Sequence, residues 1–567
     1  MSDSAEPSER LGAVERWVPG ARAARTYRRD WLRPDLVAGI VLAAILVPQG
    51  MAYAELAGVP AVYGLYATIG CLVGYAVFGP SRVLVLGPDS SVSPLIFAAI
   101  VPLAVPGDVQ SRVALAGMLA LLVGLIEIAM GLGRLGFVAD LLSSEVQVGY
   151  MNGLAITIIV GQLPKLCGFS TDATSFGAEV VAWFEHLDET KAAALIVGVG
   201  VLAVLLVLPR VTTKIPAVLV AVVGATLVSA VLGLSDRIAT VGTLPSGFPK
   251  PTVPWTSIHD VGPLLIAAVG ITLVSLTDTI ATSAAFAARR GDDVDPNQEM
   301  IGLGAANLTA GFLQGFAVST SGSRTAVAEQ SGAKSQLTGL VGAGLVVTLL
   351  VVFQSLLADL PQSALAAVVI AAALSLLNLG ALRHYASART SALMLSLAAS
   401  LGVIALGVLQ GIVLAIVLSV FMFFRRSWWP HGTVVGRVDG IDGWHSVEAF
   451  PTATEVSDIV VYRWEAPLFF ANAGAFRDQV RRLVHERHPR WFVLVCEAIT
   501  DVDVTAAGML EQLDNELNAA GVNMAFVEMR TRLQELVKRY GLFHALDADH
   551  FYPSVEAALA AIGEAGQ

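Results

Sequence analysis

The stretch Gly87-Pro88-Asp89-Ser90-Ser91-Val92-Ser93-Pro94 decides the fold, and it has a later counterpart in Ser319-Thr320-Ser321-Gly322-Ser323-Arg324-Thr325. Both stretches are rich in glycine, proline or hydroxyl residues, and the apolar residues beside each are too few for a full membrane crossing. Non-helical backbone at membrane depth is tolerated only where it is buried in protein or lines a water-filled cavity. Paired interrupted segments of this kind indicate the central site of a transporter built from two halves.

The composition around these stretches is that of a membrane block followed by a soluble domain. Of the 567 residues, 55% are hydrophobic and 14% are charged, whereas soluble proteins average about 45–50% and about 25%. Residues 36–424 hold 15 Lys and Arg and 20 Asp and Glu, whereas the shorter segment 431–567 holds 11 and 20. The net charge of −11 therefore resides mainly in the C-terminal segment. This composition excludes a soluble enzyme, a disulfide scaffold and a nucleic-acid-binding protein with a basic face.

Apolar runs between residues 36 and 424 predict about fourteen membrane-spanning helices, several of them short or broken. The runs are 36–57, 61–78, 88–103, 113–131, 146–163, 192–209, 215–234, 261–287, 298–317, 321–331, 336–357, 363–378, 388–404 and 407–424. The interrupted stretches belong to the third run and to the third of the second seven. The predicted fold class is therefore an all-α membrane protein with a seven-plus-seven inverted repeat, in which repeat one covers about 36–234 and repeat two about 261–424.

Basic residues in the connections predict that both termini are cytoplasmic, in a multi-pass protein of the inner (plasma) membrane. The side of the N-terminus holds Arg82, Arg134, Arg210, Lys214, Arg289, Arg290, Lys334, Arg383 and Arg389. The opposite side holds Arg112, Lys165, Lys191, Arg237 and Lys250. Residues 1–35, which contain seven arginines and no apolar core, are predicted to be a cytoplasmic tail.

The two interrupted stretches also predict an anion site. A half-helix that starts at mid-membrane directs unpaired N–H groups and the positive end of its dipole into the cavity. Two such starts together bind an anion without a formal cation. Arg324 would add a full positive charge, and Ser90, Ser91, Ser321 and Ser323 would add hydroxyl donors. For any single serine, the alternative is a helix cap or a small packing residue.

Asp278 is the candidate residue for a coupling cation, because an ionisable side chain in the middle of an apolar run is costly unless it has a function. Thr282 lies one helical turn later on the same face. A carboxylate, a hydroxyl and the backbone carbonyls of a broken helix suit Na⁺, whereas a carboxylate alone suits H⁺. The alternative is an ion pair between Asp278 and Arg324. For Asp89, at the start of the third run, N-capping is the expected role.

At these residues the sequence resembles the SulP-type (sulfate permease) anion transporter family, whose members end in a STAS domain. The resemblance covers roughly residues 31–565. It rests on the stretches 34–39, 47–54, 58–60, 64–66, 79–82, 87–88, 295–299, 302–307 and 319–325. It implies a core domain and a gate domain that move relative to one another, a homodimer, and an anion held between the third and tenth helix starts.

The resemblance also implies roles for individual residues. The implied anion ligands are Gln49, Tyr53, Asp89, Ser90, Ser91, Gly322, Ser323 and Arg324. In cation-coupled members of the family the position of Asp278 holds the coupling acid. The implied sodium ligands are Asp278, Thr282, Thr320, Ser321 and Gly322. Because many similar members carry Glu at the position of Asp278, both Na⁺ and H⁺ stay candidates for the coupling ion.

Residues 440–565 are predicted to form a small cytoplasmic α/β domain, with strands at 458–464, 491–497 and 523–528 and amphipathic helices between them. Residues 467–473 and 501–506 resemble STAS-domain signatures. The resemblance places Thr505 where bacterial members are phosphorylated, and the alternative role of Thr505 is that of a helix N-cap. A cytoplasmic partner of this domain is a further expectation.

The sequence therefore predicts a secondary active transporter of small inorganic anions, sulfate or bicarbonate, which works by alternating access in symport with Na⁺ or H⁺. No cofactor other than the coupling ion is expected. No H-E-x-x-H, P-loop or nucleophile elbow points to an enzyme. The alternatives are a C4-dicarboxylate or other anion carrier or exchanger of the same family, a membrane-anchored STAS signalling module, and a nucleobase carrier on the same scaffold. Arg324 and the C-terminal domain argue against the nucleobase carrier.

Overall fold

The computed structural model describes residues 17–141, 143–171, 173, 175–212, 216–242, 247–542, 546 and 548–565. Most of the predicted tail (residues 1–16) and the loop residue Lys214 lie outside the described residues. The chain divides into two compact units between Ser419 and Val420. The first unit is helical and apolar, and the second is an α/β domain.

The helices that precede the α/β domain match the predicted apolar runs. In chain order they are α1 (Pro19–Arg25), α2 (Leu32–Leu56), α3 (Ala61–Phe78), α4 (Ser93–Ile100), α5 (Val109–Leu132), α6 (Ser144–Cys167), α7 (Phe176–Glu185), α8 (Ala192–Val211), α9 (Ala217–Leu232), α10 (Ile258–Ala288), α11 (Pro296–Phe312), α12 (Gly322–Gln330), α13 (Leu337–Val352), α14 (Gln362–Leu376), α15 (Leu379–Ala388), α16 (Thr390–Leu406) and α17 (Val408–Trp428). Among the described residues, eight helical segments are long and apolar enough to cross a membrane. Every predicted run corresponds to one helix, although the run 388–404 also includes the last residue of α15. Helices α1, α7 and α15 were not predicted, and the seven-plus-seven repeat stays a prediction.

The apolar helices pack in two groups. In the first, called here the core group, α11 packs against α3 and α5, α13 against α2, and α10 against α5. In the second, called here the gate group, α6 packs against α14 and α16, and α8 packs against α14 and α9. The groups meet where α2 contacts α9 and α14. Glycines permit the closest approaches, because an added Cβ at Gly64 of α3 would collide with the Gly50 carbonyl oxygen of α2.

Two motifs that are far apart in the sequence contact each other at the ends of these helices. Glu299, near the start of α11, is buried and accepts hydrogen bonds from the Tyr75 hydroxyl at 2.6 Å and from the Ser81 hydroxyl. The Gln336 side-chain amide donates to the carbonyl oxygens of Ser81 at 2.8 Å and Leu84 at 2.9 Å. Two residues of the second half of the chain therefore hold the loop that follows α3 in the first half.

Asp35 of α2 is fully buried, and it binds the N-terminal end of α13. It accepts hydrogen bonds from the Lys334 N–H at 2.7 Å, the Ser335 N–H at 3.1 Å, the Ser335 hydroxyl at 2.7 Å and the Thr338 hydroxyl at 3.1 Å. We expect Asp35→Ala to lower the free energy of unfolding by about 2 kcal/mol, because it leaves buried donors without an acceptor. Unfolding in detergent micelles measures this change. The exposed Asp30→Ala variant is the control, and an equal loss in both variants would contradict the capping role.

The two interrupted stretches form a small antiparallel ladder inside the helical unit. Strand β1 (Leu86–Gly87) pairs with β2 (Ser319–Thr320), with Leu86 opposite Thr320 and Gly87 opposite Ser319. The Ser321 N–H extends the pairing by donating to the Val85 carbonyl at 3.1 Å. Because the strands are antiparallel, α4 and α12 leave the ladder in opposite directions. The starts of the two half-helices therefore lie beside each other.

The second unit is a six-stranded sheet with helices on both faces. Its strands are β3 (Gly432–Val438), β4 (Ile441–Ser446), β5 (Ile459–Trp464), β6 (Trp491–Val495), β7 (Asn523–Val527) and β8 (Phe551–Tyr552), in the order β4-β3-β5-β6-β7-β8. Its helices are α18 (Ala473–Arg487), α19 (Val504–Ala519), α20 (Thr531–Arg539) and α21 (Val555–Ala565). Strands β5 to β8 are parallel, whereas β3 is antiparallel to β4 and β5. The three predicted strands are present, and the sheet begins at Gly432, before the predicted domain start at residue 440.

Candidate anion and cation site

Arg324 lies between the two interrupted stretches and is only 1% exposed. Its Nη1 donates to the Pro88 carbonyl oxygen at 2.6 Å, and its Nη2 lies 3.7 Å from Asp89 Oδ1. Its Nε and Nη2 have no hydrogen-bond partner among the described residues. The guanidinium lies close against Gly87, where an added Cβ would come within 3.4 Å of Arg324 Cζ. Because buried charges need partners, these unpaired donors suit an anion.

The start of α12 supplies hydroxyl groups beside this guanidinium. Ser321 caps the helix, and its Oγ accepts from the Arg324 backbone N–H at 3.4 Å. The Ser321 and Ser323 hydroxyl oxygens are 3.1 Å apart. Ser321 is buried whereas Ser323 is exposed, so Ser323 is the hydroxyl within reach of a ligand.

Tyr53 brings α2 to the same place. It is 4% exposed, and it lies within interaction distance of Ser90, Asp89 and Arg324. Gln49 is half-buried and precedes Tyr53 by one helical turn, so both side chains lie on one face of α2. The structure therefore brings together predicted anion ligands from the first and second halves of the chain.

Asp89 does not cap α4 as the sequence predicts. The helix begins at Ser93 after Val92, and the turn over residues 90–92 separates it from Asp89. Asp89 Oδ2 instead accepts hydrogen bonds from the Ser91 N–H at 3.0 Å and the Ser91 hydroxyl at 2.9 Å. The predicted N-cap is therefore wrong, because the aspartate closes a turn of its own before the helix starts.

Asp278 is half-buried in the middle of α10 and faces the same stretches. Its Oδ1 accepts a hydrogen bond from Gln147 Nε2 of α6 at 3.3 Å. The carboxylate also interacts with Ser91 and lies within electrostatic reach of Asp89. Arg324 forms its ion pair with Asp89, so the Asp278–Arg324 ion pair considered from the sequence is wrong. The nearer carboxylate takes the guanidinium.

Threonine residues of α10 connect this helix to β2 and α12. The Thr279 and Thr320 hydroxyl oxygens are 2.7 Å apart in the buried interior. An added Cβ at Gly322 would lie 3.9 Å from Thr282 Oγ1. The end of β2 and the start of α12 therefore lie against the α10 segment that carries Asp278. Unwound backbone and hydroxyl oxygens beside a carboxylate are the groups that coordinate Na⁺ in transporters.

Glu127 of α5 is a buried acid whose partners the sequence does not reveal. Its carboxylate accepts hydrogen bonds from the Ser275 hydroxyl at 2.8 Å and from the Asn307 amide at 2.8 Å. Asn307 Oδ1 in turn accepts from the Val318 N–H at 2.8 Å. These partners lie 148 and 180 residues from Glu127 in the sequence, so no local spacing could indicate them. The network holds the residue before β2 against three core-group helices.

Gln147 and Tyr150 of α6 are also absent from the predicted site. Gln147 reaches the Asp278 carboxylate, and Tyr150 lies within electrostatic reach of it. The available signal is two polar residues spaced three apart in the apolar run 146–163, which places them on one helix face.

Thr505 of the second unit is exposed as the second residue of α19. The helix cap is Asp503, whose Oδ1 accepts from the Ala506 N–H at 2.7 Å. The capping role considered for Thr505 is therefore wrong. Phosphorylation of Thr505 stays a prediction.

Two half-helix starts that meet around a buried guanidinium, followed by an α/β domain, define a membrane transporter for anions. The sulfate permease family model matches residues 32–399, and the STAS domain model matches residues 450–558. The chain belongs to the sulfate permease family. The predicted resemblance is confirmed, and so are the helical membrane fold with a C-terminal STAS domain and the prediction that the protein is a transporter and not an enzyme. The number of spans and the seven-plus-seven repeat stay predictions.

A relative agrees with this assignment, and two solved structures share the fold. A probable sulfate transporter of Mycobacterium tuberculosis is 41% identical over 548 residues, which are 96% of this chain and 98% of that protein. The structure of the murine solute carrier 26 family member A9, an anion transporter in the inward-facing state, is similar with a TM-score of 0.88 at 23% identity, over 99% of this chain and 96% of that one. The transmembrane domain of a cyanobacterial bicarbonate transporter has a TM-score of 0.61 at 22% identity, over 70% of this chain and 98% of that one.

Proposed function

We propose that this transporter carries sulfate or bicarbonate across the inner (plasma) membrane in symport with Na⁺ or H⁺, by alternating access and with both termini cytoplasmic. The observation that carries the proposal is Arg324, a buried guanidinium at the two half-helix starts whose Nε and Nη2 have no hydrogen-bond partner in the described part of the chain. A homodimer and a cytoplasmic partner of the STAS domain are further parts of the proposal, and they rest on the family resemblance.

The anion would lie beside Arg324, whose Nε and Nη2 have no hydrogen-bond partner among the described residues. The Ser323 hydroxyl, the Tyr53 and Ser90 hydroxyls and the N–H groups at the starts of α4 and α12 would complete the ligand set. Hydroxyl and N–H donors bind any small oxyanion. Arg324 adds a bidentate geometry that suits carboxylate-like and tetrahedral oxyanions. The site therefore selects for charge and small size.

The balance of charges supports coupling to a cation. Arg324 supplies a positive charge at the site. Asp89 lies within interaction distance of Arg324, and Asp278 lies within interaction distance of Asp89. The site is net negative while both carboxylates are ionised, and it repels an anion. A cation at Asp278 removes that repulsion. When Na⁺ is the cation, Thr282, Thr320, Ser321 and Gly322 would supply the remaining oxygen ligands.

Cation symport also makes anion uptake energetically feasible. Moving an anion into an inside-negative cell is uphill, and each co-transported positive charge offsets about 2.3 kcal/mol per 100 mV. One relative is a probable sulfate transporter, which supports sulfate, and one protein of similar fold is a bicarbonate transporter, which supports bicarbonate. Both anions are therefore tested together.

Uptake by the purified protein in liposomes tests the proposal. We expect accumulation of labelled sulfate or labelled bicarbonate to require an inward gradient of Na⁺ or H⁺, each imposed separately. Unlabelled sulfate, bicarbonate and C4-dicarboxylates, added as competitors, identify the preferred anion. If uptake of these anions is independent of both gradients, symport is contradicted. If uptake requires an anion inside the liposomes, the protein is an exchanger.

A further inference from the structure

We propose that Gln147 and Tyr150 of the gate-group helix α6 compete with the coupling cation for the Asp278 carboxylate, and that this contact restrains the transporter while the cation is absent. The inference rests on the proposed cation coupling at Asp278. It adds two positioning residues outside the ligand set considered above.

The geometry brings Gln147 to the Asp278 carboxylate and places Tyr150 near it. Gln147 Nε2 donates to Asp278 Oδ1 at 3.3 Å. Tyr150 follows three residues later on the same face of α6 and is 1% exposed. Its hydroxyl has no hydrogen-bond partner among the described residues, and the ring lies within electrostatic reach of Asp278. A buried hydroxyl without an acceptor is a donor that a nearby carboxylate can use after a small movement of the side chain.

Helix α6 is firmly attached to its own group. The Ser400 hydroxyl of α16 donates to the Gly149 carbonyl of α6 at 2.7 Å. An added Cβ at Gly149 would collide with the Ser396 carbonyl oxygen of α16, so the two backbones are in direct contact. Any movement of the gate group therefore carries Gln147 and Tyr150 with it.

Asp278 is attached to the other group. Its helix α10 packs against α5 and α4 and along β2, and Thr279 contacts Thr320. The hydrogen bond between Gln147 and Asp278 therefore joins the gate group to the core group at the coupling acid. Alternating access requires these groups to move relative to one another, which would break this bond.

Competition for the carboxylate links that movement to the cation. An ionised carboxylate is an acceptor only, and its hydrogen bonds are stronger than those of neutral groups. A cation at Asp278 takes lone pairs of the carboxylate and neutralises its charge, which weakens the bond from Gln147. The cation-free carrier is therefore restrained, and the loaded carrier is released. This arrangement opposes movement of the carrier without its cation.

The test compares uptake of labelled sulfate, or of labelled bicarbonate where only that is carried, by proteoliposomes with and without the cation. Wild type, Gln147→Ala and Tyr150→Phe are measured in sodium-free choline medium and at saturating Na⁺, each at two pH values. We expect Gln147→Ala to raise the cation-free rate about tenfold, because a restraining hydrogen bond is lost before the rate-limiting movement. Tyr150→Phe removes only the hydroxyl, and a smaller increase of the same sign is expected. Gln162→Ala, on the same helix, is the matched control and should keep the wild-type ratio of the two rates.

The outcomes separate this inference from the proposed function. Wild-type ratios in both variants would overturn the inference alone, and so would an equal fall of both rates, which indicates only a structural role. If wild-type uptake is equally fast with and without the cation, for both Na⁺ and H⁺, the proposed coupling is overturned, and the inference with it. If Gln147→Ala does not fold, Tyr150→Phe decides the result, because it keeps the aromatic ring and the packing of α6.

Discussion

Replacing Arg324 with alanine is expected to raise the anion concentration for half-maximal uptake about a hundredfold. A hydrogen bond to a charged group contributes about 1.5–3 kcal/mol, and each 1.4 kcal/mol is about tenfold in affinity. Among the described residues, Nε and Nη2 of Arg324 have no hydrogen-bond partner, so an anion would lose more than one such bond. The loss also leaves Asp89 without its ion pair, which makes the site more negative.

Uptake as a function of anion concentration measures this effect, with the amount of folded protein determined by size-exclusion chromatography. Arg324→Lys should give an intermediate value, because lysine keeps the charge but not the planar fork. Arg383→Ala, at an exposed position of α15, is the control. An unchanged half-saturation concentration in Arg324→Ala, at normal folding, would assign Arg324 a purely structural role.

Replacing Asp278 with asparagine is expected to abolish the dependence of uptake on the cation gradient. Asparagine has nearly the same shape, and its side-chain oxygen still accepts from Gln147, but the site loses one negative charge. Anion binding then no longer requires a cation, so uptake with and without the gradient should differ by a factor of about one. We also expect tighter anion binding in cation-free medium, because the repulsion is permanently removed.

Parallel measurements in proteoliposomes with and without a Na⁺ or H⁺ gradient check this expectation. Asp260→Asn, in the first turn of the same helix α10, is the control and should retain full cation dependence. Unchanged coupling in Asp278→Asn would show that another residue is the coupling acid. Glu127 would then be the next residue to replace, because it is buried and its hydrogen-bond partner Ser275 lies one turn before Asp278 on α10.

Features with a local signal in the sequence were predictable. The interrupted stretches are recognisable by their glycine, proline and serine residues. In the structure they form β1, β2 and the starts of two half-helices. Each apolar run forms a helix in the structure. An apolar segment of this length favours a helix whichever other helix it packs against, so its local sequence is enough to predict it. The short helices α7 and α15 were missed, because ten residues of mixed polarity resemble a loop between two longer apolar runs.

Features that depend on distant partners were not predictable. Gln147 and Asp278 are 131 residues apart, and nothing in either local pattern indicates the other. Asp89 was expected to cap a helix, but whether an aspartate caps or closes a preceding turn depends on where the first helical turn starts. In the second unit, β4 was missed because none of its residues is buried and it lacks the alternation of a half-buried strand.

The ladder between β1 and β2 has a consequence for how this protein can evolve. Its hydrogen bonds join main-chain groups, so they do not depend on which side chains surround them. Mutations at Ser90 or Ser323 can therefore change the size or shape of the accepted substrate while the two half-helices keep their positions. The main-chain ladder can therefore be inherited unchanged while the substrate-selecting residues vary. Proteins descended from one ancestor can then differ in the substrate they carry and keep the same fold.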